Sequence, residues 1–267
     1  MRYLVRTSTV LRYSAANAWA DFRASYTWWS WTFGWLGRML AQVTFFAFVG
    51  IMLGDQAQLR YLVVGNAVMT CVVETMSVVA SSSSEGRIGT LPLLSAAPVR
   101  LAWVFLGRSV QWPVSGSLTA LVSLLALAPA FGVHWSPTQV PALVLLVPLT
   151  ALSTYAVGLF LSAFVLTASG ARNLLSNSAY LVMMAICGVQ VPVDFWPSWV
   201  RSIASTLPLT HGLAAIRSVG DRAPVADVLG QAGLALACGV GWLVMAVLAF
   251  SLLEQHSRRR DAFDFGG

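Results

Sequence analysis

Apolar runs of roughly twenty residues recur along the whole chain, separated by short polar or proline-punctuated breaks. A run of that length spans a bilayer as one helix. Six spans are expected, at 33–53, 59–80, 102–127, 141–166, 174–191 and 227–253. Gly54 to Gln58 reads as a tight polar turn. The stretch 81–97 contains the flexible serine run Ser81–Ser84 and leaves the membrane, and 129–141 and 167–173 are short connections. Residues 192–226 are apolar but broken by Pro192, Pro197, Pro208 and Pro224, so the fifth span cannot continue through them as one helix.

Ahead of the first span, Trp19, Phe22, Tyr26, Trp29 and Phe33 recur at intervals of three and four, the spacing of one helical face. Arg12 and Arg23 flank that stripe, placed to reach lipid phosphates, so residues 1–32 are expected to form a helix lying on the membrane. With the tail 254–267, the whole of 1–267 reads as a single all-α integral membrane domain of six transmembrane helices.

Composition sharpens this. The chain is 57% hydrophobic and 10% charged, against roughly 25% charged in a soluble domain. Every basic side chain is arginine; there is no lysine. A P-loop needs a lysine at the terminal phosphates, so no standard nucleotide-hydrolysing site exists in this chain, and energy for any driven process must come from another polypeptide. Cys71, Cys187 and Cys238 sit in apolar runs without CxxC spacing, and His134, His211 and His256 are scattered, so neither a disulfide framework nor a metal site is expected. The first thirty residues carry four arginines and lack the apolar core of a cleavable signal.

Six spans place both termini on one side. Ten arginines fall on that side and four on the other, the remaining two being Arg38 and Arg108 inside spans. The positive-inside rule therefore puts both termini in the cytoplasm of a plasma membrane. Arginine-only usage points to a high-GC bacterial source.

Glu74, Arg38 and Arg108 are the ionisable residues well inside expected spans, each about five to seven residues from the arginine-rich end, or roughly 8–10 Å deep. A lone charge at such a position is costly and calls for a partner. Glu74 is expected to pair with Arg38 or Arg108, either as a static bridge or as a contact that breaks and reforms when the spans move. Phe45, Phe46 and Phe48 on the first span and Met183 and Met184 on the fifth could form a soft apolar wall for greasy cargo, or simply face lipid and neighbouring helices. Gly233, Ala237 and Gly241 make a small-residue stripe on the last span, expected to pack within the subunit.

The segment 85–98 places Ile88, Leu91 and Leu94 at intervals of three on the cytoplasmic side, an apolar edge that makes sense if another protein docks on it. The run Glu85-x-Arg87-x-Gly89-Thr90-Leu91-x-x-Leu94-x-x-x-Pro98 resembles the coupling segment of ABC transporter permeases of the second export class, those of drug-resistance, nodulation-factor and polysaccharide export. Leu207-Pro208-Leu209-Thr210-His211-Gly212, followed by Arg217, resembles that family's motif before the last span. The order of features fits over essentially the whole chain. Pro92 departs from the pattern, standing where many relatives have an acidic residue.

The resemblance implies a permease subunit that forms a pore with a second, identical or homologous, permease. It also implies two copies of a separate ABC ATPase, which carries the ATP and magnesium and engages the segment around Ile88 to Leu94 and, secondarily, the loop with Gly170 and Arg172. In that family 192–226 folds as a re-entrant helical hairpin on the outer side, with His211 and Arg217 capping or tying it. Hydrophobic or amphipathic cargo, a drug-like natural product or a lipid, is the expected substrate. A lipid-linked glycan is the alternative within the class, and a membrane-embedded lipid-modifying enzyme based on Glu74 or His211 the alternative outside it. Neither a catalytic residue, a cofactor of its own nor nucleic-acid binding is expected.

Overall fold

A computed structural model describes residues 2–25, 27–88, 101–166 and 172–264. The described residues are helical with turns, and no strand occurs among them. Helix α1 is Arg2–Ser25. Helix α2, Gly37–Met52, is entered through a π-helical turn at Ser30–Leu36. Then follow α3 (Gln56–Ile88), α4 (Leu101–Arg108), α5 (Gln111–Val122, running on through a π turn and a 3-10 turn to Phe131), α6 (Val140–Val165) and α7 (Arg172–Ile186). Two shorter helices, α8 (Ser198–Ser205) and α9 (Pro208–Gly220), precede the long α10 (Val225–Asp264).

Among the described residues, five helical stretches are long and apolar enough to cross a membrane: Ser30–Met52, Gln56–Ser81, Ala102–Phe131, Val140–Val165 and Val225–Gln255. The apolar stretch of α7, Asn173–Ile186, is shorter than these. Within the expected fifth span, 174–191, the helix stops at Ile186, and Gly188 follows with φ +80°, a left-handed conformation that glycine adopts without penalty. A correction concerns Ser81–Ser84, which continue α3 rather than forming a flexible run. Ser81 Oγ bonds the Val78 carbonyl (3.1 Å) and accepts the Trp112 indole N–H (3.2 Å), so its hydroxyl is satisfied inside the helix packing.

Helix α3 is the centre of the bundle. Of its most apolar stretch 89% is buried, against 22% for the first candidate span and 17% for the last. Helices α2 and α10 therefore lie at the periphery, while α2, α5, α6 and α7 surround α3. In hydrocarbon the driving force for helix association is close packing rather than water release, and small residues permit it. Gly116 of α5 lies so close to α3 that a Cβ would stand 2.9 Å from the Cys71 carbonyl oxygen; at Gly158 of α6 it would meet Val78 Cγ1 at 2.6 Å. Buried hydroxyls bond back to their own helices, as Thr150 does to the Leu146 carbonyl (2.8 Å) and Thr154 to the Thr150 carbonyl (2.7 Å), so these groups need no partner from the surrounding lipid.

The bundle has two distinct ends. At one, α1 packs on α4 through Ser14 and Gly107, and Phe105 stacks on Phe250 of α10 at 5.2 Å. At the other lie the α2–α3 turn, the 128–139 connection and the loop 220–224, tied by Arg60 to Asp221 (3.5 Å), by Gln139 Nε2 to the Val219 carbonyl (2.7 Å) and by Trp135 to the Leu124 carbonyl (2.9 Å). Helices α8 and α9 form a helix–turn–helix whose turn, at Thr206 and Leu207, reaches far along α10, where Thr206 accepts the Trp242 indole N–H (2.9 Å).

The stripe Gly233, Ala237, Gly241 is also corrected. Gly233 and Gly241 meet nothing within 4 Å, and α10 packs on α6 through Gly239 against Ser153 instead. A matched pair tests the packing. A Cβ on Gly212 of α9 would lie 2.3 Å from Thr150 Oγ1, and threonine's branched side chain has little freedom to retreat. Gly212→Ala should cost about 1–3 kcal/mol, read as a lowered melting temperature of the purified protein, whereas Gly233→Ala should be neutral or stabilising. Equal behaviour of the two would reject this packing.

Candidate functional site

The polar interior is built from two stripes at four-residue spacing. Asn66, Thr70 and Glu74 follow one another on α3, and Gln111, Ser115, Thr119 and Ser123 on α5; all are buried. The stripes face each other at Gly116, where a Cβ would lie 3.2 Å from that of Glu74. There the Thr119 hydroxyl donates to Glu74 Oε1 in a short hydrogen bond, and Oε2 has no hydrogen-bond partner. Ser115 and the Trp35 ring stand beside the carboxyl, and the Trp31 indole N–H donates to Ser115 Oγ (3.1 Å). A carboxyl group thus sits where α2, α3 and α5 meet.

The expected pairing of Glu74 with Arg38 or Arg108 is not made. Arg38 is exposed on α2 with its guanidinium 5.9 Å from the Trp35 ring centroid, and Arg108 closes α4. Arg60 pairs with Asp221 (3.5 Å) and Arg201 with Asp194 (3.9 Å), both at exposed side chains. Similar depth along the spans does not make a contact: Arg38 is exposed, whereas Glu74 is enclosed between helices. Sequence reasoning missed Thr119, Ser115, Trp31 and Trp35, although the four-residue stripe on the third span was a readable signal.

Arg217 occupies the second polar cluster. Its Nη1 donates to the Gly188 carbonyl (2.7 Å) and its Nη2 to the Tyr61 carbonyl (3.0 Å), while the guanidinium lies 3.5 Å from the Tyr61 ring centroid. The Tyr61 hydroxyl donates to the same Gly188 oxygen (2.7 Å), and the Gln190 amide donates to Asn66 Oδ1 (3.0 Å). Gly65 makes this approach possible, since a Cβ there would lie 2.3 Å from the Val189 oxygen. One arginine therefore joins α9, α3 and the turn that ends α7. His211 links the α8–α9 turn to α10, with Nε2 2.9 Å from the Ser205 carbonyl and Nδ1 3.0 Å from Gln231 Oε1. Pro208 and Leu209 are buried at the start of α9.

The residues expected to contact an ATPase fall largely elsewhere. Glu85, Arg87 and Ile88 close α3 and Arg172 opens α7; Gly89, Thr90, Leu91, Leu94, Pro98 and Gly170 lie outside the described residues. The expected apolar wall is not continuous. Phe45 and Phe48 are exposed on α2, with Phe46 edge-on to Phe45 at 5.1 Å, whereas Met183 is buried in the core and Met184 packs against it.

The fold is that of a membrane protein, with α3 buried among helices long and apolar enough to cross a bilayer. The family model described as ABC-2 type transporter matches residues 15–219, and the chain belongs to that family. It is 28% identical over 168 residues to the linearmycin resistance permease protein LnrN of Bacillus subtilis (strain 168). That match covers 62% of this chain and 43% of the relative, so the chain spans less than half of that protein's length.

Two substitutions probe the clusters. With no cation beside it, Glu74→Gln keeps an acceptor for Thr119 and should change stability by less than about 1 kcal/mol, against about 3–5 kcal/mol for breaking a buried ion pair. Thermal unfolding in detergent distinguishes these. Lysine cannot reach both carbonyls while lying flat on Tyr61, so Arg217→Lys should lose about 1.5–3 kcal/mol and expose 187–197 to faster proteolysis; an unchanged cleavage pattern and melting temperature would show the clamp to be dispensable.

Proposed function

We propose that this chain is the membrane subunit of an ATP-driven exporter, working with a second permease subunit and two copies of a separate ATPase. The observation that carries the proposal is membership of the ABC-2 type transporter family in a chain without a single lysine. These 267 residues cannot build a P-loop, and in this reading the ATPase that supplies the energy is a separate chain. ATP and magnesium belong to that companion, which docks on 85–98 and, secondarily, on 170–173. Closure of the ATPase pair pushes these segments and rocks the helices.

In this reading the α1 end faces the cytoplasm with both termini, following the arginine bias, and the membrane is the plasma membrane of a bacterium. Six crossings are completed by α7 together with the turn to residue 191, short as the helix is. Helices α8 and α9 then form a re-entrant hairpin on the outer side. Phe195 and Trp199 are exposed near its start, where amphipathic rings suit an interface. The second permease subunit packs against the outward faces of α2 and α10, where Phe45, Phe48 and the Gly233–Gly241 stripe are left uncovered.

The cargo is hydrophobic or amphipathic, a drug-like natural product or a lipid. The Bacillus relative is a linearmycin resistance permease, which supports export of an antibiotic. Glu74 is fully buried, out of reach of a lipid substrate, which favours transport over lipid-modifying chemistry.

The test is co-purification of the ATPase with this chain from the membranes of its source cells. Leu91→Asp should abolish recovery of the ATPase while leaving membrane insertion intact. Recovery at the wild-type level would rule out docking through this segment.

A further inference from the structure

We propose that the groove between α6 and α10, at the end of the bundle opposite α1, is a binding site for a membrane phospholipid with an acidic headgroup. Two depressions meet there. One is a polar cleft of about 770 Å³ whose walls include Arg60, His134, Trp135 and Asp221. The other is an apolar groove of about 820 Å³ formed by Ala142, Leu145, Leu146, Leu149, Val228 and Ala232. Ser136, Gln139 and Arg222 line both.

The groove lies beside the loop that joins α9 to α10. That loop turns through Arg222 at φ +57° and then Pro224, and small side chains (Ala142, Ala223, Ala232) line the gap. Its walls belong to two candidate membrane spans, and Leu145 and Leu229 on its rims are exposed. In a bilayer the gap opens onto lipid. Water filling it would lose hydrogen bonds, whereas an acyl chain fits such walls at no polar cost.

The mouth selects the headgroup. Arg60 and Asp221 neutralise each other at 3.5 Å. Gln139 spends its amide on the Val219 carbonyl and its oxygen on the Ser136 N–H (2.8 Å), and Ser136 Oγ pairs with Thr138 (2.9 Å). Among the described residues Arg222 makes no ion pair and no side-chain hydrogen bond. Asp227 lies in the first turn of α10, where the helix N-terminus is its natural partner, and lines neither depression. The unspent charge at the headgroup level is thus a guanidinium, the side chain best matched to a phosphate.

The experiment is native mass spectrometry of the detergent-purified chain with equimolar phosphatidylglycerol and phosphatidylcholine of equal chain length. Wild type should retain phosphatidylglycerol in preference, and Arg222→Gln should lower that retention about tenfold, to the phosphatidylcholine level. Ala142→Trp and Ala232→Trp fill the groove from opposite walls, and either one that keeps the wild-type melting temperature should lose both lipids. Glycerol phosphate, a headgroup without chains, should not compete. Equal retention of the two lipids by wild type, a preference that survives Arg222→Gln, full retention in the folded tryptophan variants, or displacement by glycerol phosphate would each overturn the proposal.

Discussion

The arrangement of the second half of the chain depends on one buried guanidinium. Helix α7 ends at Ile186 and leaves carbonyls that no further helical turn will bond. Just beyond that end, Arg217 and Tyr61 both donate to the Gly188 carbonyl and fix the turn that follows. Because the chain leaves α7 there, 187–197 can cross the top of α3, and α8 and α9 can fold back into the bundle. Arginine serves where lysine would not, since it is planar, reaches two carbonyls at once and stacks on an aromatic ring.

The same requirement, that polar groups be satisfied by the protein itself, shapes the interior around α3. Many serine and threonine hydroxyls return to their own helices, Thr119 meets Glu74 across the α3–α5 seam, and Asn66 meets Gln190. Glycines at the seams let backbones approach to distances that a methyl group would forbid. Helices α2 and α10 take little part in this interior. Their exposed aromatic, aliphatic and glycine faces are the surfaces left for lipid and for another subunit.

Much of this was legible in the residues. Spans were readable because apolar runs of membrane length leave few alternatives, and the prolines at 192, 197, 208 and 224 marked the broken segment correctly as something other than a continuous helix. The ends of elements were less so. Nothing in 174–191 distinguishes an apolar helix from an apolar turn, and the stop at Ile186 depends on contacts with Tyr61 and Arg217, distant in sequence. Ser81–Ser84 read as flexible because serines favour turns, yet α3 continues through them, and Ser81 bonds the Trp112 indole. For Glu74, hydropathy locates the charge along a helix, but only the packing says which face meets which, and Thr119 rather than an arginine meets it. Phe45 and Met183 illustrate the same gap, one exposed and one in the core.

The chain thus has a proposed engine-facing end, where α1, the close of α3 and the start of α7 gather, and an opposite end built from Arg60, Trp135, Asp221 and Arg222. Sidedness tests this most directly. In a chain whose three cysteines are replaced by alanine, Gly89→Cys and Arg222→Cys are to be labelled with a membrane-impermeant maleimide, in intact cells and in inverted vesicles. Labelling of the 222 position in cells alone, and of the 89 position in inverted vesicles alone, is the predicted result. Labelling of position 89 from outside intact cells would contradict the account.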